Sequence, residues 1–507
     1  IPFLMGTYEW TFRKSIQMET SANPSTQRAF ERLGGVQSFA GDPFQNIGDA
    51  MDESGEPAEA RVSIWDGEHS LPAAKASNYT KGLRKHITAV TDGGEISKKD
   101  RLKALEGDMA HLNLECFKTV GLEGSEQDAD ISWAGMGAEA EKKLRGNRFF
   151  WFFRSQNATS DDQNRRGSWG EGKFTLESAS LLGAHISLSV RNTASGLSRV
   201  LMGLTTLRWH AIYNPVKGYG TTDKFGRVSP DKFAPYGTFS RSKKADTGEG
   251  YAPMPIIDDG HLDQFTDDFK LERKGERGLS TVIMQPRDEL RDPSVIARAI
   301  IARWWVAIIE GLLVVKICHN GKSVYVIDAS SIWKTIETLD WDSEPEKIGS
   351  KNERNPAKLS VDQWNALLDL HTWAKSPPSE AVFETAVAGD EKATGKPTWH
   401  GLLTEEQTDS IKKRGMEGRT CMVRLRTWVH QIGSKPQIGK IEYVFKPANQ
   451  DLQAQVYTRR GMTIPFISQI DGYVSIVRCD GNDNLLESLL RDSEGPAHLE
   501  WSGGAQR

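Results

Sequence analysis

The chain has 507 residues, 38% hydrophobic and 26% charged, and its 64 basic and 68 acidic side chains leave a formal net charge of −4. That length allows two or three domains with ample buried core. The near balance of charge excludes a global electrostatic footprint for nucleic acid or membrane, although a local basic face would be averaged away. The four cysteines, Cys116, Cys318, Cys421 and Cys479, are scattered and form no CxxC pair. This argues against a disulfide framework or a cysteine zinc site, and a reducing, cytoplasmic setting is expected.

From the start of the chain, no basic segment leads into a long apolar core, so a signal peptide is not expected. Residues 25–55 read as helical with a break at Gly34-Gly35, and "ARVSIW" then alternates as a strand. "HLNLECF" is a second strand candidate, and "GAEAEKKLRGNRFFWFFRS" reads as a helix with an aromatic end. The polar stretch "SQNATSDDQNRRGS" has the length and composition of a functional lid. "KFTLESASLLGA" reads as a helix that starts inside a glycine loop, and "HISLSVRN" and "SRVLMGLTTLRWH" as strands. Residues 214–250 are polar and glycine-rich.

"GLSTVIMQP" then reads as a strand opening a new unit, with a helix starting after Asp292-Pro293. Arg298, Arg303 and Glu310 interrupt the apolar run Val295–Val315, which suits a buried helix followed by a strand better than a membrane span. "LLVVKICHNGKSVYVI" predicts a hairpin turning at Asn320-Gly321. Residues 340–420 are more polar and contain one predicted helix, "SVDQWNALLDLHTWAKS". The last part returns to strands at "TCMVRLRTWVHQI", "GKIEYVFK" and "FISQIDGYVSIVR".

Three stretches carry chemistry. "NRRGSWGEGKFTLESAS" sets Gly167, Gly170, Gly172 and Lys173 in a loop suited to phosphate. Its Gly-x4-Gly-Lys spacing nearly matches a P-loop, but Phe174 stands where a hydroxyl would bind Mg²⁺, and no buried strand leads into it. Upstream, "GDPFQNIGDAMDESGEPAEARVSIW" holds Asp42, Asn46 and Asp49, the first two a helical turn apart and able to reach one ligand. Asparagine offers Mg²⁺ a hard carbonyl oxygen. Asp42 precedes Pro43 and reads equally as a general base or as a helix N-cap. Between these two stretches, "LNLECFKTVGLEG" holds Thr119, Gly121 and Gly124.

In this order the stretches resemble the GHKL ATPases, the superfamily of gyrase, heat-shock chaperones, histidine kinases and MutL. Closest are MutL/MORC-like proteins of bacterial restriction and phage-defence clusters. The resemblance implies an α+β fold. A Bergerat-type ATP-binding α/β sandwich would occupy 1–260, followed by a transducer-like second α/β domain at 261–340. A polar, partly helical insertion at 341–420 and a β-rich region at 421–507 would complete the chain. It also implies ATP and Mg²⁺ as cofactors. Asn46 would hold the metal, Asp42 would act as base, and Asp49, Thr119 and Gly121 would line the nucleotide. Gly167, Ser168, Gly170, Gly172 and Lys173 would hold phosphates.

The sequence departs from the family at the adenine end. Cys116 stands where an aspartate accepts a hydrogen bond from the adenine amino group, and Lys118 where a glycine is usual. A thiol is a weak acceptor. Glu115 would point to the opposite face of the strand, and Asp108 lies off the pattern. Two readings therefore stand side by side: an ATP-dependent conformational switch, and a binding scaffold with a degenerate nucleotide pocket. The switch implies partner proteins, an ATP-dependent homodimer and DNA as a candidate ligand, with no membrane. By position, Lys316 is a candidate for reaching a γ-phosphate. Near the end, Asp492, Glu494, His498 and Glu500 read either as a metal cluster or as a helix end with a proline turn.

Overall fold

The computed structural model describes residues 8–14, 35–91, 96–126, 146–154, 173–194, 196–214, 216, 218–244, 251–341, 359–392, 400–430, 435–464, 471–479 and 484–493. The fold is α+β and divides into two compact units. The first comprises Ile1–Asp162, Trp169–Ala297 and Leu312–Val326; the second comprises Gln163–Ser168, Arg298–Gly311 and Ile327–Arg507.

In the first unit the order is β1 (Glu9–Lys14), α1 (Gly35–Asp49), β2 (Ala58–Trp65), α2 (Ala73–Thr80), α3 (Leu83–Ala89), α4 (Lys98–Lys103) and β3 (His111–Phe117). Next come α5 (Arg148–Phe153), α6 (Lys173–Ser178), β4 (Ala184–Thr193), β5 (Gly196–Thr206), β6 (His210–Ile212), β7 (Thr221–Thr222), β8 (Val228–Ser229), β9 (Asp231–Lys244) and β10 (Tyr251–Met254). The unit ends with α7 (Asp259–Asp268), β11 (Gly278–Met284), the start of α8 (Pro293–Ile309), β12 (Leu313–His319) and β13 (Lys322–Ile327).

Its 11-stranded sheet has the order β1-β9-β5-β4-β11-β3-β2-β12-β13, with β6 and β10 also paired to β9. β12 runs parallel to β2, whereas β2/β3, β3/β11, β11/β4 and β4/β5 are antiparallel. One face carries Ile186, Leu188, Leu201, Val282 and Met284 in a core with Tyr79, Leu83, Ile87, Leu262 and Phe265 from α2, α3 and α7. A smaller cluster joins Phe149 and Phe153 of α5 to Val200, Met202 and Leu204 of β5, with Leu279 packed against it.

The predicted strands around "ARVSIW", "HLNLECF", "HISLSVRN" and "SRVLMGLTT" are all present. Asn320 and Gly321 both have positive φ, 52° and 80°, as a tight hairpin turn requires. Two expectations fail. The stretch 214–250, described only as polar and glycine-rich with no strand expected, contains the 14-residue β9. Gly237 lets β9 pass the Phe12 ring, which a Cβ there would meet at 2.6 Å. The strand at 278–284 opens no second domain; it is an inner strand between β4 and β3, so the expected boundary at 260/261 is not where the chain divides.

In the second unit the remainder of α8 is followed by α9 (Ile332–Thr338), α10 (Val361–Ala374), β14 (Val382–Ala388), α11 (Glu405–Met416), β15 (Cys421–Val429), β16 (Gln437–Pro447), β17 (Ala454–Arg459), β18 (Met462–Ile464), β19 (Tyr473–Arg478) and α12 (Asn484–Ser493). The sheet order is β14-β15-β16-β19-β17-β18. Capping boxes start α10 at Ser360/Gln363 and α11 at Thr404/Gln407. Trp305, Trp341 and Trp364 pack at the centre, and Trp305 Nε1 donates to Thr463 Oγ1 at 3.0 Å. The expected division at 420/421 does not hold either, because β14 of the supposed polar insertion is the edge strand of this sheet.

Candidate functional site

α1 carries three of the predicted residues. It begins at Gly35, whose N–H donates to Glu289 Oε1 at 3.2 Å, so Asp42 lies mid-helix and is not its N-cap. Pro43 is likewise interior, where it removes a helical hydrogen bond. Ser38, Asp42, Gln45 and Asp49 fall on one stripe of the helix. Asp42 is buried at 4% exposure and Asp49 is half-buried, whereas Asn46 beside the stripe is exposed. Ser38 Oγ and both polar atoms of the Gln45 amide are buried without a hydrogen-bond partner among the described residues.

The end of α1 meets the predicted threonine–glycine turn. Met51 bridges to Thr119, Val120 N–H donates to the Ala50 carbonyl at 2.9 Å, and Asp52 N–H donates to the Lys118 carbonyl at 3.0 Å. Thr119 is buried, and its hydroxyl closes the turn by donating to the Cys116 carbonyl at 3.2 Å. Gly121 has φ +73°, and a Cβ there would lie 2.4 Å from the Val190 carbonyl oxygen. Next along, Leu122 N–H donates to Ser189 Oγ at 2.8 Å and the Leu122 carbonyl accepts from Arg191 at 2.9 Å. Lys118 has φ +59°, so the backbone keeps the left-handed turn for which glycine is favoured. Its amine pairs with Glu56 at 2.6 Å.

The third predicted element also comes to this place. α6 packs against α1. Lys173 opens α6; Gly167, Ser168, Gly170 and Gly172 lie outside the described residues, as does the polar stretch before them. α5 adds residues that the sequence did not single out. Arg148 donates twice to the Asp49 carbonyl at 3.3 Å, a cation at the C-terminal end of α1 where the helix dipole favours it. Asn147 accepts from Phe150 N–H at 2.8 Å and donates to the Ser125 carbonyl at 2.9 Å, tying the α5 start to the same turn.

At the expected adenine end the chemistry is apolar. Cys116 is paired in register with Ala60 on β2 and Leu279 on β11, so the three share a face. Burial pushes the Cys116 thiol up to about 12, and it stays protonated. Its carbonyl accepts from Arg273 at 2.5 Å, and Arg273 also donates to Ser280 Oγ and to the Glu276, Arg277 and Leu279 carbonyls.

Neither nearby acid supplies an acceptor there. The Glu115 carboxylate is held by Glu272 N–H, Arg273 N–H and the Ser280 hydroxyl. Asp108 Oδ1 accepts from Ala73 N–H at 2.9 Å, at the start of α2. Lys316 ion-pairs with Glu59 at 3.0 Å across the β12/β2 ladder, the ordinary behaviour of a surface strand lysine.

Asn46 is an exposed amide free to meet a ligand from solvent, whereas the orphaned Gln45 amide next to it in sequence is buried. The adenine end does not fit a base that needs a carboxylate acceptor. Among the described residues no three His, Cys, Asp or Glu side chains cluster to hold a metal by themselves. Of the C-terminal candidates, Asp492 lies in α12 and Glu494, His498 and Glu500 lie outside the described residues. Among the described residues no helix is long and apolar enough to cross a membrane. Comparison with protein-family models and with curated proteins finds no match.

Proposed function

We propose that the first unit is a Bergerat-type nucleotide-binding module and that the chain works as a MutL/MORC-like conformational switch in DNA restriction or phage defence. One observation supports the reading: α1 meets both the 116–124 turn and α6, the helix that follows the glycine stretch, although about 130 residues separate α1 from α6. Asn46 would present its carbonyl to Mg²⁺, and the metal would neutralise phosphate charge. Gly167, Ser168, Gly170, Gly172 and Lys173 would hold phosphates at the start of α6. Asp42 would orient water, and its short side chain makes any hydrolysis slow. Occupancy would favour an ATP-dependent homodimer and the engagement of partner proteins.

A second reading, a non-catalytic scaffold with a degenerate pocket, is favoured by the apolar trio Ala60, Cys116 and Leu279. Calorimetric titration of ATP with and without Mg²⁺, with Asn46→Ala beside the parent, separates the two. Mg²⁺-dependent binding that disappears in the variant supports the switch. Absence of heat in both proteins leaves the scaffold.

A further inference from the structure

The sheet of the second unit presents a basic face that the nucleotide site does not use. Met422, Val444 and Ile476 are register neighbours on one face and are buried, and α10 packs on β16 and β19. Further along, the same face carries three cross-strand pairs: Arg424 opposite Glu442, Arg426 opposite Lys440, and Trp428 opposite Ile438. Arg424 and Arg426 are half-buried, as is Trp428, while Lys440 is 49% and Ile438 39% exposed.

The charges are not balanced. Glu442 is shared by Arg424 at 3.1 Å, Lys440 at 3.3 Å and Arg478 at 4.0 Å, and Glu384 adds a second carboxylate to Arg424 at 3.4 Å. Arg426 has no carboxylate partner among the described residues and sits directly opposite Lys440. Like charges directly opposite across a ladder are destabilising. An anion seated between the two would relieve that repulsion. Trp428 and Ile438 continue the row as an aromatic–aliphatic step, at about 7 Å per pair of residues along the strand.

We propose that this β15–β16 face binds single-stranded nucleic acid. Arg426 and Lys440 hold the phosphate backbone, and a base stacks on Trp428. A polyanion alone would be served by the cations; the flat aromatic in line with them selects a ligand that carries both phosphates and π-faces. The inference does not depend on the nucleotide reading of the first unit.

The test is fluorescence anisotropy of labelled oligothymidylate and oligouridylate, about twenty nucleotides long so as to exceed one site, with the full chain over a salt series. Binding should weaken steeply with salt. Arg426→Ala should lower the slope of log K against log salt by about 0.7, and Trp428→Ala should weaken binding on the order of tenfold or more. Arg426→Glu keeps the fold testable, because it places opposite charges across the ladder. It should melt at or above the parent temperature and lose binding. Unaltered affinity in Trp428→Ala and Arg426→Glu, or no binding of either oligonucleotide at low salt, overturns the proposal. Equal competition by polyglutamate, together with an unaffected Trp428→Ala, also overturns it and reassigns the face to an acidic protein.

Discussion

Replacing Cys116 by aspartate tests the proposed adenine end of the site directly. The thiol is 6% exposed and flanked by Ala60 and Leu279, so the parent offers no carboxylate to an amino group there. A carboxylate acceptor would add one charge-assisted hydrogen bond, about 1.5–3 kcal/mol, or roughly ten- to hundredfold in affinity. Placing that carboxylate among apolar neighbours without ligand costs more than the about 1–3 kcal/mol of a neutral polar group, because the added group is charged. Arg273, bonded to the Cys116 carbonyl, limits this cost by proximity of charge.

Lys118→Gly in the same chain removes a left-handed lysine, φ +59°, and should return about 1 kcal/mol. The double variant should therefore bind ATP·Mg²⁺ at least tenfold more tightly by calorimetry, and without ligand melt below the parent, since the carboxylate's burial cost exceeds what Lys118→Gly returns. If the parent already binds ATP as tightly as the double variant, the apolar trio is not the weak point and the reasoning fails.

Asn46→Ala removes an exposed side chain, so unfolding should stay within about 0.5 kcal/mol of the parent, while Mg²⁺ dependence of nucleotide binding is lost; a large fall in melting temperature would contradict the exposed placement. Gly121→Ala forces a Cβ against the Val190 carbonyl at positive φ, and denaturant unfolding should report a loss above about 2 kcal/mol; parental stability would refute the close approach. Burial depresses His86 to about 3, and His111 and His371 to about 4. Their folded values lie below the unfolded value of about 6.5, so the unfolded chain binds more protons on acidification. Stability should thus be complete above about pH 6.5 and fall progressively towards about pH 4; melting temperatures unchanged between about pH 7 and pH 4.5 would refute it.

Local pattern was enough for much of this molecule. Alternation marked β2, β4 and β5, Asn320-Gly321 marked the hairpin, and the long apolar run marked α8, because each signal lies within a few residues of its cause. Lys118, which the resemblance marked as standing where a glycine is usual, has a left-handed backbone. The strand β9 escaped because Pro235 and Gly237 break its alternation, and β18 because it has only three residues.

What tertiary structure alone decided was membership and partnership. The strand Gly278–Met284 joins the first sheet through β3 and β4, more than 80 residues away in the chain. Glu289 accepts from the Gly35 N–H at the start of α1 from 254 residues away, and Asp42 lies in the helix interior. Lys316 is neutralised by Glu59 only because β12 lies parallel to β2, and Arg426 is left facing Lys440 only because of the β15/β16 register. Propensity and periodicity act over a few residues, whereas these pairings arise when distant segments bury their apolar faces together, and no local pattern encodes which segments those will be.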